Sequence, residues 1–96
     1  MTEEQIKDCL LTMKNQYVFE ISGKTAKKAT YFKLYFLKLN DNKFLACDIL
    51  AGFLIGTIIE ENYMSIDRTT KMIQEYFEDG YSFEKIFNPN FPKVIE

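Results

Sequence analysis

Residues 31–50 read YFKLYFLKLNDNKFLACDIL, and the fold turns on them. Tyr31 to Leu39 is rich in aromatic and branched residues and carries two aromatic pairs, Tyr31-Phe32 and Tyr35-Phe36, which predicts a strand. Asn40-Asp41-Asn42 is a turn, because Asn and Asp tolerate left-handed backbone. Lys43 to Leu50 then returns as the antiparallel partner. The loop length fixes which side chains share a face. With Asp41-Asn42 as a two-residue loop, Asn40 pairs with Lys43. Phe32, Leu34 and Phe36 then lie with Leu45, Cys47 and Ile49, and the other face carries Tyr31, Lys33 and Tyr35 with Asp48. A three-residue loop would set the Asp48 carboxylate among Phe32, Leu34 and Phe36 at a cost of several kcal/mol, so the two-residue register is expected, with Lys33 as the diagonal partner of Asp48.

Outward from this hairpin the pattern changes. Thr2-Glu3-Glu4-Gln5 is a capping box, and Ile6, Cys9, Leu10 and Met13 follow helical spacing, so a helix runs to about Lys14. Tyr17 to Ile21 predicts a short strand stopped by Ser22-Gly23, with a lysine-rich loop over 23–30. Phe53 to Glu60 fits a third antiparallel strand by its isoleucines. Ser65 or Asp67 caps a further helix that turns Ile73, Tyr76 and Phe77 inward and stops at Gly80. Ser82 then reads as the N-cap of a last short helix, with Tyr81 stapled onto Ile86; Asn88-Pro89 ends it, and an extended tail follows. The expected class is α+β: an antiparallel three- to four-stranded meander with an N-terminal helix and two C-terminal helices on one face.

The chain has 96 residues, 47% of them hydrophobic, which fits one compact domain over residues 1–96 with one core. Histidine is absent, so His-based triads and His–zinc sites are excluded, and no catalytic set is recognised. Cys9 and Cys47 have no CxxC spacing and are expected as reduced core thiols, with no metal and no cofactor. The start is acidic and unlike a signal peptide, so the expected location is cytoplasmic. Phe44 to Ile59 is apolar, but it is short for a membrane span and is interrupted by Asp48, Gly52 and Gly56; buried core is expected there. Gly23-Lys24-Thr25 resembles the end of a phosphate-binding loop, but Val18 stands where that pattern needs glycine, and no helix is expected to follow.

Charge is unevenly spread. Residues 24–43 hold six lysines and one acid, whereas residues 44–96 hold nine acids and four bases, within a net charge of −2. Lys24, Lys27, Lys28, Tyr31, Lys33 and Tyr35 form the first candidate binding set, since lysines attract phosphate and tyrosines stack on bases or fill interfaces. Glu75, Glu78, Asp79 and Glu84 form an alternative acidic face suited to a basic partner. These features favour a small non-enzymatic binding protein, an inhibitor or modulator of a larger macromolecular target. Eleven lysines to one arginine, with abundant Ile and Asn, fit the AT-rich coding of phages and mobile elements, whose anti-defence proteins are of this size. A protein partner is expected. The competing readings are a nucleic-acid-binding accessory protein using the Lys/Tyr set and a small-ligand binder; a homodimer stays open.

Overall fold

The computed structural model describes residues 1–25, 28–50, 53 and 63–89, without the side chains of 25 and 28–30. Helix α1 spans Glu3–Thr12, followed by strands β1 (Val18–Thr25), β2 (Lys28–Asn40) and β3 (Lys43–Cys47), helix α2 (Ile66–Glu78) and strand β4 (Ser82–Phe87). All pairings are antiparallel, and the order across the sheet is β3-β2-β1-β4. The first three strands form a meander. The chain leaves β3, forms α2 and returns on the far side of β1, so the α+β class holds, with α1 before the sheet and α2 between β3 and β4.

The helix ends follow local chemistry. The Thr2 hydroxyl accepts the Gln5 N–H and the Gln5 side chain accepts the Thr2 N–H, which closes the expected capping box on α1. Ser65 caps α2 by accepting the Arg68 N–H, while Asn42 Oδ1, from the β2–β3 turn, accepts the Ile66 N–H at 2.9 Å. Two of the N–H groups that every helix start leaves without an internal partner are thus satisfied. Lys7 and Asp67 bridge the helices at 2.8 Å; each raises the other's preference for its charged form, Lys7 upward and Asp67 downward.

The helices cover one face of the sheet. Ile6, Leu10, Met13, Phe19, Ile21, Leu34, Phe36, Phe44, Met64, Ile73 and Tyr81 form the core between them. A second cluster lies on the other face, where Val18, Leu37, Leu39 and Leu45 pack with Phe53, Leu50 and Tyr63 from the β3–α2 connection. Cys9 packs against the first cluster and Cys47 against the second; both are free thiols, half-buried and on opposite sides of the sheet. Gly23 is required where it stands: a Cβ there would come within 3.3 Å of Tyr81 Cα.

Five expectations need correction. Asn40 does pair with Lys43, but the ladder shifts between Lys38 and Asn40. This bulge sets Phe36 opposite Ala46 and Leu37 opposite Leu45, so Leu45 and Cys47 lie away from Phe36 rather than with it. Asp48 lies beyond the end of β3 and is exposed, as is Ile49; the partner of Lys33 is Glu20. Strand β1 does not stop at Ser22-Gly23: it runs through Lys24 to Thr25, and Lys28 pairs back onto it. The expected lysine loop is therefore the end of a hairpin, and Gly23-Lys24-Thr25 lies in a strand followed by a strand.

The other two corrections concern the C-terminal half. Residues 82–87 form a strand, not a helix. The register with β1 shifts between Glu20 and Ile21, so Phe83 faces Ile21 and Ile86 faces Phe19. That bulge puts two apolar residues three apart on one strand face, the spacing a helix would give. Phe53, expected to open a third strand, is helical; the remainder of that expected strand, 54–60, and the tail from 90 onward lie outside the described residues. No helix among the described residues is long and apolar enough to cross a membrane.

Candidate functional site

Strand alternation on β2 sends Phe32, Leu34 and Phe36 toward the helices and Tyr31, Lys33 and Tyr35 to the opposite face. Pairing then decides their neighbours. Glu20 stands opposite Tyr35 on one side and Lys85 on the other, and Ser22 stands opposite Lys33 and Ser82. One half of the face turned away from α1 and α2 is therefore polar, next to the apolar half that carries Leu37, Leu45 and Phe53.

Glu20 is the centre of this polar half. It is only 3% exposed, its Oε1 lies 3.7 Å from Lys33 Nζ, and its Oε2 is buried with no hydrogen-bond partner. The Glu20 carboxylate is the main reason that Lys33 holds its proton above the ordinary lysine range. The Tyr35 hydroxyl is also pushed up, by burial first and then by the same carboxylate. Tyr31 is 60% exposed, yet its hydroxyl is anchored, donating to Ser22 Oγ at 2.9 Å. An exposed ring on a fixed hydroxyl presents contact area at little entropic cost. Lys85 Nζ sits 4.9 Å from the centre of the Phe87 ring, inside the range of a cation–π contact.

Of the first candidate set, Tyr31, Lys33 and Tyr35 come together here. Lys24 is exposed on β1, Lys27 lies outside the described residues, and Lys28 is placed by its backbone alone. The basic stretch is less basic at its surface than its composition suggests. Lys33 is neutralised by Glu20, and Lys43 lies over the Tyr63 ring at 5.0 Å. Lys38 is 1% exposed, and its ammonium donates to the carbonyls of Leu10, Leu11 and Met13.

The acidic set divides. Glu75, Glu78 and Asp79 are exposed on the last turns of α2, in the helix layer, whereas Glu84 belongs to the β4 bulge and contributes to the field at Lys33. An open groove of about 410 Å³ on α2, between Asp67, Arg68, Lys71, Met72 and Glu75, mixes both signs of charge. Among the described residues no group of three Cys, Asp or Glu side chains is placed to hold a metal ion.

Glu20, Ser22 and Lys85 complete the polar half-face and went unread in the sequence. Alternation within Phe19-Glu20-Ile21 signals only that Glu20 leaves the helix side. It gives no sign that the carboxylate is covered by neighbours from β2 and β4, which are distant in sequence. No protein-family model matches the chain, and no curated protein and no solved structure matches it, so the function is argued from this geometry alone.

Proposed function

We propose that this chain is a small non-enzymatic binding protein that inhibits or modulates a larger protein target, and that the target seats on the sheet face turned away from α1 and α2, around Tyr31, Lys33 and Tyr35. The observation that carries the reading is the pairing of an exposed, anchored Tyr31 with a half-exposed Lys33 held by the buried carboxylate of Glu20, which retains one unpartnered oxygen. Interfaces draw most of their energy from a few aromatic and desolvated charged anchors surrounded by weaker contacts. A protein target supplies N–H donors and apolar surface suited to such a face. A phosphate backbone would meet the exposed Glu84 beside lysines, one of which Glu20 already neutralises, which favours protein over nucleic acid. The free thiols support a cytoplasmic site of action, and the lysine-rich composition supports an origin in phages or mobile elements.

The test compares immobilised wild-type protein with the Tyr31→Glu variant in extracts of the native host. The expected result is one protein retained by the wild type and lost by the variant, with no nucleic acid bound at physiological salt. Micromolar binding to single- or double-stranded DNA or RNA, abolished when Lys24, Lys27 and Lys28 are replaced by Ala, would establish the nucleic-acid reading instead.

A further inference from the structure

The two edges of the sheet are finished differently. On β3, Phe44 exchanges backbone hydrogen bonds with Met64 at 2.9 and 2.8 Å, so that edge is covered near its start. On β4, only β1 pairs with the strand among the described residues. Ser82 to Lys85 are exposed, and Phe83 keeps 44% of its surface in water. An edge of this kind presents unpaired N–H and C=O groups to any strand that can align with it.

We propose that β4 pairs antiparallel with β4 of a second copy of this chain, about a two-fold axis through the Glu84–Lys85 step, joining two four-stranded sheets into one. The argument is the charge pattern as the bulge displays it. In a regular strand, antiparallel self-pairing sets residues of like parity opposite each other, so the axis must pass through a residue. Glu84 would then meet its own copy, or Lys85 its own, and like charges directly opposite are destabilising. The bulge removes that constraint. Phe83 and Ile86 share the helix side, while Lys85 stands opposite Glu20 and Glu84, the extra residue of the bulge, acts on Lys33 of the other face. With the axis between positions 84 and 85, each glutamate faces the lysine of the second copy, and each Phe83 faces Ile86 of the second copy. Side chains on each face then match in kind, and the contact is self-complementary as a two-fold interface requires.

Bulges and charges on an edge strand ordinarily keep other strands away. Here they discriminate. An unrelated strand would desolvate Glu84 and Lys85 without partners, whereas a second copy pairs both. The interface is one short strand, so the dimer is weak, forming over roughly 10 µM to 1 mM.

Sedimentation velocity across that range, on the full chain, tests the proposal. The expected result is a monomer–dimer equilibrium that Glu84→Lys weakens about ten- to thirty-fold, since both cross-strand pairs become repulsive. The double variant Glu84→Lys with Lys85→Glu should restore association, provided circular dichroism shows the native fold. A second measurement needs no variant: the amide signals of residues 82–87 should shift with wild-type concentration while those of β3 stay fixed. A monomer at 1 mM, or concentration-dependent shifts centred elsewhere than β4, would overturn the proposal.

Discussion

Lys38 shows how much one side chain can carry. It stands between Leu37 and Leu39 on β2, where alternation with Leu34 and Phe36 turns it to the helix side, and it is 1% exposed beneath the end of α1. The last carbonyls of a helix lack internal donors, and α1 has no basic residue in its last turn. The Lys38 ammonium supplies the missing donors to Leu10 and Met13 at 2.7 and 2.8 Å and reaches Asp41 at 3.0 Å. Lys38→Met keeps the apolar stem and removes the charge, and should cost about 3 kcal/mol in urea unfolding. An unchanged midpoint would show that water replaces the ammonium at no loss. Tyr81 presents the opposite case: it is 5% exposed, its hydroxyl has no partner, and burial pushes its ionisation above the ordinary tyrosine range near 10. Because the folded protein holds this proton more tightly than the unfolded chain, the associated stability is complete below pH 10 and is lost as pH rises through the folded value. Tyr81→Phe should therefore leave stability at pH 7 equal or raised by up to about 1 kcal/mol and flatten its decline above pH 10. A loss of 2 kcal/mol at pH 7 would mean that the hydroxyl is satisfied in solution.

At the scale of elements, what could be read in the sequence was what is local. The Thr2–Gln5 box and the Ser65 cap are set by side chains three residues from their partners, and the stripes Ile6-Leu10-Met13 and Ile73-Tyr76-Phe77 repeat within one helix. The Asn40–Lys43 turn was legible for the same reason. The errors fall at bulges, where one extra residue breaks the period-two rule on which strand reading depends. Near Leu39 a single shift moved Leu45 and Cys47 to the far face. At 82–87 the cap-and-staple reading of Ser82, Tyr81 and Ile86 gave a helix where a bulged strand stands. The candidate site was half legible. Tyr31, Lys33 and Tyr35 share a face by alternation within one strand. Glu20 and Lys85 join them only through β1–β2 and β1–β4 pairings across long stretches of chain. No local signal encodes such pairings, since they depend on the sheet order.

At the scale of the whole molecule, the sheet is a middle layer rather than a floor. Phe36 and Leu37 are neighbours on β2 and both are fully buried, which requires packing on both faces of that strand. The helix side is closed by α1 and α2, and the far side by Leu50, Phe53 and Tyr63 over β2 and β3; among the described residues no apolar cover lies over the polar half around Glu20. The proposed binding surface therefore borders a second core, and Tyr31 stands on a strand fixed from below by Leu34 and Phe36. This architecture predicts two separable cores of comparable importance. Leu10→Ala removes packing only from the helix side, and Leu45→Ala only from the far side. Each should cost about 2–5 kcal/mol, because each side chain is at most 2% exposed and leaves a cavity that its neighbours fill only in part. With the sheet as a stiff layer between them, the double variant should lose the sum of the two within about 0.5 kcal/mol. Equilibrium urea unfolding of the four proteins decides the matter. A Leu45→Ala cost near zero would show that the far-side cluster does not hold the fold, and strong non-additivity would show that the sheet transmits strain from one core to the other.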